Sequence, residues 1–211
     1  MTKISARRRW ALGYGDASLD FVNTRWNRLT PEPIETFHQA DDVLDWLRLK
    51  GIIDDRHHRL WRRRFRQSPT AARRLFGDAM RLREALYRVF WSIAHRHRPR
   101  PADIAVVNRV LAAVQLSPVL SVDRTRCVSV VYRPTIRGVR SLVAPVAAAA
   151  AQVLSNDALA RLRQCLNAEC AAVFFDRTKN RSRRWCHMTV CGSVFKMRRY
   201  RKSARRSDRP P

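Results

Sequence analysis

The sequence predicts an α+β protein: a mostly helical N-terminal domain with a small antiparallel sheet, followed by a small C-terminal module organised by four cysteines and ending in a basic helix. Three patterns lead there. Apolar residues recur at three- and four-residue steps through much of the first 154 positions; β-branched residues concentrate between Val119 and Tyr132; and four of the five cysteines fall within 27 residues near the C-terminus.

Asp41 to Lys50 reads as a short helix with Val43, Leu44, Trp46 and Leu47 inward and Gly51 just past its end. A second, basic helix is expected from Asp55 to Arg66. From Ser68 to Arg96, Leu75, Ala79, Leu82, Leu86, Val89 and Ile93 trace one long amphipathic helix, with Ser68 and Pro69 as cap and first turn. Another helix follows Pro101, its inner face carried by Ile104, Val107, Leu111 and Val114. Two β-branched runs, Val119 to Val122 and Cys127 to Tyr132, flank polar Asp123 to Arg126 and predict a hairpin. Val139 to Leu154 returns to helix with Pro145 as an early-turn or kink residue.

Chain length suits one or two small domains, and 45% hydrophobic residues with six tryptophans suffice for a core. The 43 Lys and Arg against 17 Asp and Glu give a formal charge of +26, so a polyanion is the natural partner: nucleic acid first, an anionic membrane surface as the fallback. No stretch reaches the roughly 18 consecutive apolar residues that would span a bilayer. Met1 to Trp10 is basic, but Gly13, Tyr14, Gly15 and Asp16 stand where a signal peptide needs its apolar stretch. Export is therefore not expected, and reduced thiols favour a metal site over disulfides.

Charge density steps up after Ser155 to Asp157, where a domain boundary is expected: residues 161–211 hold 15 Lys and Arg against three acids. This divides the chain into 1–156, 157–204 and a disordered basic tail, 205–211. In the second part Cys165 and Cys170 form one C-x4-C pair, Cys186 and Cys191 another, with 15 residues between the pairs. Two short-spaced pairs joined by such a loop are what one closed tetrahedral zinc ion requires, with sulfurs about 3.7 Å apart. Asn167, Ala168 and Glu169 suit a tight turn. Val173 to Phe175 suit a strand folding back against the second pair, and Phe174, Phe175 and Trp185 would supply a minimal core. So small a module needs its metal to fold. Cys127, beside Val128 and Val130, reads as a small hydrophobe. His187 could replace a sulfur, but four thiolates make that unnecessary.

Arg177, Lys179, Arg181, Arg183 and Arg184 crowd the loop between the pairs, and Lys196, Arg198, Arg199, Arg201 and Lys202 follow the last cysteine, with almost no acids among them. A helix over 192–204, with Val194 and Met197 inward, would turn its cations toward DNA phosphates and base edges.

Leu162-Arg163-Gln164-Cys165-Leu166-Asn167, Cys170, Phe174, Asp176, Asn180-Arg181-Ser182-Arg183-Arg184-Trp185-Cys186, Met188, Cys191-Gly192 and Lys196 together resemble the CGNR zinc-finger family. Upstream, Leu19-Asp20-Phe21-Val22-Asn23-Thr24 and Trp46-Leu47 resemble the ABATE domain that precedes this finger in bacterial stress-related transcription regulators. The resemblance implies a cytoplasmic, nucleoid-associated regulator that binds double-stranded DNA, with one structural zinc on Cys165, Cys170, Cys186 and Cys191 and a ligand-sensing N-terminal domain. Its implied partners are DNA and a small-molecule effector; a homodimer is a further expectation, and a membrane is not one. One departure stands out, since Cys191-Gly192 is followed by Ser193 and Val194 where the family has Asn-Arg.

Asp20, Asn23, Thr24 and Arg25 could line a ligand pocket, or equally cap a helix and bond to backbone, which is the more economical reading. Two further functions compete with DNA binding. A zinc enzyme would need an open metal position and a general base, for which only Glu169 and Asp176 lie near in sequence, so no enzyme is expected. An RNA-binding or scaffold protein would use the same charge, with Phe174, Phe175, Trp185 and Tyr200 to stack bases. His57-His58 and His95-Arg96-His97 are read as solvated helix ends; Asp41, Asp42, Asp45, Asp54 and Asp55 as helix-start carboxylates.

Overall fold

The computed structural model describes residues 10–155 and 157–207, except the side chains of 132–134, 157–158 and 201–207. The basic segment before Trp10 and the tail beyond Ser207 lie outside the described residues.

Local chemistry sets the helix starts. Asp16 caps α1 (Ala17–Val22), accepting from the Ser18 N–H at 2.7 Å. Asp42 reaches back to the Gln39 N–H at 3.0 Å and starts α2 (Ala40–Leu49), which ends before Gly51. Asp54 caps α3 (Asp55–Gln67), and Ser68 caps α4 (Pro69–Ala94). α5 is Pro101–Leu111. Strands β1 (Leu116–Val122) and β2 (Val128–Pro134) pair antiparallel, and α6 is Ala144–Leu154 with Pro145 in its first turn. Two short strands, β3 (Leu162–Gln164) and β4 (Val173–Phe175), pair antiparallel before α7 (Ser193–Ser207).

α4 is the axis. Its 26 residues span about 39 Å and pack against α1, α2, α3 and α5 as well as β3 and β4. Leu75, Ala79, Leu82, Leu86 and Phe90 are fully buried along it, beside an aromatic group of Trp10, Phe21, Phe37 and Trp46 whose ring centroids lie 5.2–6.2 Å apart. The expected helices and hairpin all form. Four details differ. α5 stops at Leu111, leaving Val114 beyond it, and buries Asp103 because that carboxylate binds Arg88 at 2.6 Å. The hairpin packs neither face into the core, with Leu120 and Val122 more than half exposed. β4 pairs with β3, which leads into the first cysteine pair, instead of folding against the second. α7 continues to Ser207, past the expected end at 204.

The cysteine module shares the core of the helical part. Leu162, Val173 and Phe174 are buried in the same cluster as Leu19 and Leu82, so Phe174 belongs to no separate minimal core. Asn23 acts as a hinge pin: its Nδ2 donates to the Val173 carbonyl at 2.6 Å and its Oδ1 accepts from the Val173 N–H at 3.2 Å. Gly15 passes so close to the same strand that a Cβ there would lie 2.8 Å from the Phe175 Cβ, and its φ of +121° is one that glycine alone adopts without strain.

An internal ion network also reaches the module. Arg83, 3% exposed in its side chain, binds Glu35 through both nitrogens at 2.7 and 2.6 Å and Glu84 at 3.0 Å. Arg28 binds Glu84 at 2.7 Å and lies 3.9 Å from the centroid of the Tyr87 ring, whose hydroxyl donates to the Ala171 carbonyl at 3.0 Å. Burial pushes Glu35 and Glu84 up, but the hydrogen bonds and charges of Arg83 and Arg28 outweigh it and hold both below the ordinary value.

Two outcomes follow from these contacts. Asn23→Ala leaves a buried N–H and C=O without their partner and should lower unfolding free energy by about 2–4 kcal/mol in a urea titration. Arg83→Met leaves the half-buried Glu35 without its ion-pair partner, while Glu84 keeps Arg28, and should cost about 1–3 kcal/mol at pH 7. Because the carboxylates titrate lower folded than unfolded, their stabilisation is present at neutral pH and fades as pH falls below about 4.5, so the penalty of Arg83→Met should shrink in acid.

Candidate metal centre and nucleic-acid interface

The four cysteines are brought together by three tight pieces of backbone. β3 delivers Cys165, a turn closed by the Cys170 N–H to the Asn167 carbonyl at 2.9 Å delivers Cys170, and a π-helical turn over Met188–Gly192 carries Cys191 to the start of α7. Ala171 leaves the first turn in the left-handed region at φ 52°, where the Tyr87 hydroxyl holds its carbonyl.

All four sulfurs lie within 4.8 Å of one another, with Cys170 to Cys186 at 3.7 Å and Cys186 to Cys191 at 3.6 Å. These separations are too long for a disulfide, and all five cysteines are free. They match the edge of a tetrahedron of sulfurs about 2.3 Å from one zinc ion. The four residues are buried, and two donors turn toward them: Asn167 Nδ2 to Cys191 Sγ and the Cys186 N–H to Cys165 Sγ, both at 3.5 Å. The donor set fits one structural zinc, held by Cys165, Cys170, Cys186 and Cys191. Hydrogen bonds from the other thiols push Cys165 down, whereas Cys186 is pushed up because it would have to ionise beside the Cys165 sulfur. A dication resolves that conflict by sharing the charge of all four.

His187 stands outside the sulfur cluster, its ring edge-on to Tyr14 at 4.9 Å. Burial and the charge of Arg183 push it down. Asp176 is buried and folds the loop between the pairs: Oδ1 accepts from the Thr178 N–H at 2.9 Å and Oγ1 at 2.6 Å, and Oδ2 accepts from the Arg183 N–H at 3.0 Å.

The cations divide into two sets. Lys179, Arg181, Arg184, Lys196 and Arg199 are exposed. Arg198 is exposed too, but binds Glu169 at 2.7 Å. Arg183 turns inward, donating to the carbonyls of Trp185 at 3.0 Å and Cys186, with its guanidinium 4.7 Å from the Phe174 ring centroid. The side chains of Arg201 and Lys202 lie outside the description. α7 leaves the module at a steep exposure: Val194 is half-buried, Phe195 stacks on Trp185 at 4.8 Å, and Met197, expected inside, is 55% exposed because the core ends after the first turn. Ser193, at the first departure from the family pattern, donates from Oγ to the Met188 carbonyl at 3.2 Å.

Of the four pocket candidates, Asn23 and Thr24 are buried and spent on backbone, Thr24 donating to the Phe21 carbonyl at 2.8 Å. Asp20 binds Lys50 at 2.6 Å and accepts from the Tyr14 N–H at 2.6 Å. Arg25 lies 3.9 Å from Glu84. Asp20 and Lys50 border an open cleft of about 510 Å³ that Arg177 and Arg183 also line. His58, expected to be solvated, is buried against Asp45 at 2.7 Å; His95 stacks on Trp91 at 4.2 Å. Asp176, Arg183 and Asn23 act as staples, roles that spacing gives no means of reading.

Fold and centre together define a four-cysteine zinc-finger protein built onto a helical domain. Residues 15–157 match the family model of ABATE, described as a putative stress-induced transcription regulator, and residues 161–205 match that of the CGNR zinc finger. The chain belongs to the ABATE family and carries the CGNR finger at its C-terminal end. A comparison with curated proteins finds no match. Among the described residues no helix is long and apolar enough to cross a membrane.

Elemental analysis of the purified protein should find one zinc per chain, and Cys186→Ser should lose it. Zinc requires all four sulfurs deprotonated, so loading releases protons and affinity rises with pH. Acidification should therefore discharge the metal, read as zinc captured by a chromogenic chelator along a falling pH series.

Proposed function

We propose that this protein is a DNA-binding transcription regulator whose finger contacts double-stranded DNA through α7 and the loop between the cysteine pairs. The observation that carries this reading is the placement of unopposed cations on a metal-organised scaffold. Lys196 and Arg199 on α7, with Lys179, Arg181 and Arg184 on the loop, are exposed beside a helix whose first turn packs Phe195 against Trp185. Fifteen residues of helix reach about 22 Å, enough to lie in a major groove while Arg and Lys meet phosphates and base edges.

The same geometry speaks against catalysis. Four thiolates leave no coordination position for an activated water, Asp176 is consumed by the loop, and Glu169 is paired with Arg198. The RNA reading loses stacking surface, since Phe174 is fully buried and Trp185 packs on Phe195. A regulator acting on the chromosome would work in the cytoplasm, on the nucleoid. A small-molecule effector would enter at the cleft beside Asp20 and Lys50, where the helical part meets the finger loop. A homodimer would suit paired half-sites.

Fluorescence anisotropy on a labelled duplex between 50 and 200 mM salt tests the interface. Replacing both Lys196 and Arg199 with Gln should make the log–log salt slope shallower by about 2, because each lost phosphate contact removes about 0.9. Arg198→Gln should matter less than either change alone, since Glu169 already engages that guanidinium. Unaltered binding in the double variant would refute this surface.

A further inference from the structure

A second cationic surface lies on the helical domain, away from the sulfur cluster. α3 buries His58, Trp61 and Phe65 on one side. On the other side Arg56, Arg59, Arg63 and Arg66 recur at steps of three and four, which at 100° per residue confines them to about 80° of arc opposite the buried face. All four are exposed, and among the described residues none has a carboxylate partner.

The neighbouring charges are accounted for. Arg62, at the flank, binds Asp41 at 3.1 Å, and Arg64 lies 4.9 Å from the Trp61 ring centroid. The two acids at the start of the helix are taken as well, Asp55 by Arg48 at 3.3 Å and Asp54 by His57 at 2.8 Å. Like charges three and four residues apart weaken a helix, so the stripe works against the fold that carries it. Among the described residues no carboxylate offsets its charge.

We propose that the outward face of α3 is a second phosphate-contacting surface that grips the backbone of duplex DNA. The stripe runs about 15 Å, and a duplex presents on the order of nine phosphate charges over that length, one per roughly 1.7 Å of axis. Four guanidiniums spread along one face of a helix match an extended polyanion better than a small compact one. The partner named here follows the reading of the protein as a DNA-binding regulator, but the surface stands on α3 alone and is testable apart from the finger.

The experiment uses the full-length, zinc-loaded protein and a 30-base-pair duplex of mixed sequence over a salt series. The variant Arg56→Gln/Arg59→Gln/Arg63→Gln/Arg66→Gln should make the log–log slope shallower by about 3–4 and weaken binding at least tenfold near 100 mM salt. Four Arg→Lys changes at the same positions should keep most of both. Neutralisation should leave the melting temperature at low salt unchanged or raised; if the quadruple variant fails to fold, Arg59→Gln/Arg63→Gln carries the test with a slope change of about 2. An unchanged slope in a folded variant overturns the proposal. Loss of binding only to single-stranded RNA, or only to vesicles of phosphatidylcholine and phosphatidylglycerol, overturns the duplex as partner. If the finger variant binds normally while the α3 variant does not, the finger reading fails and this one stands.

Discussion

Four sulfurs that must all give up their protons inside one buried cluster are the constraint on which the C-terminal part of this protein depends. Ionised side by side they repel, a cost that a bound dication would offset, and the chain adds the Asn167 amide and the Cys186 N–H pointed at sulfur and Arg183 folded against the carbonyls of the second turn. The turns that bring the sulfurs together are too short to enclose apolar residues of their own. The module therefore leans on α4, sharing its core and fastened by Asn23, Tyr87 and Tyr14.

That dependence links the metal site to the helical domain. Glu35, Arg83, Glu84, Arg28 and Tyr87 form a continuous chain of ion pairs and a cation–π contact that ends on the backbone of Ala171, next to Cys170. A change in the loop that carries Glu35 would reach the first sulfur turn through side chains that are already paired. A cleft bordered by Asp20, Lys50, Arg177 and Arg183 also joins the helical part to the finger loop.

Charge is sorted by depth. Buried cations such as Arg83 and Arg28 are matched to carboxylates, because an unpaired charge in the core is too costly to keep. With 17 acids against 43 Lys and Arg in the chain, most of the cations have no carboxylate to pair with. Part of the surplus lies on α7 with the finger loop and on the outer face of α3.

Much of the architecture was legible in order along the chain, because helix period, cap residues and cysteine spacing are local signals. Ser68 and Pro69 announced α4, Gly51 marked the end of α2, and two C-x4-C pairs picked out the four cysteines that the fold clusters before any distance was known. What local signals could not carry was partnership. Arg183 and Arg184 are neighbours of one type, yet one braces the backbone and the other faces solvent; Met197 has the spacing of a core residue but nothing stands opposite it. Asn23 reads as a helix-end residue and is in fact bonded 150 positions away. Sequence by itself determined the element types, the ligand set and the excess of positive charge, since each depends on residues close along the chain. Only the tertiary structure decided which cations are spent inside and which remain for a partner, because that depends on which carboxylates and carbonyls the fold carries within about 3 Å.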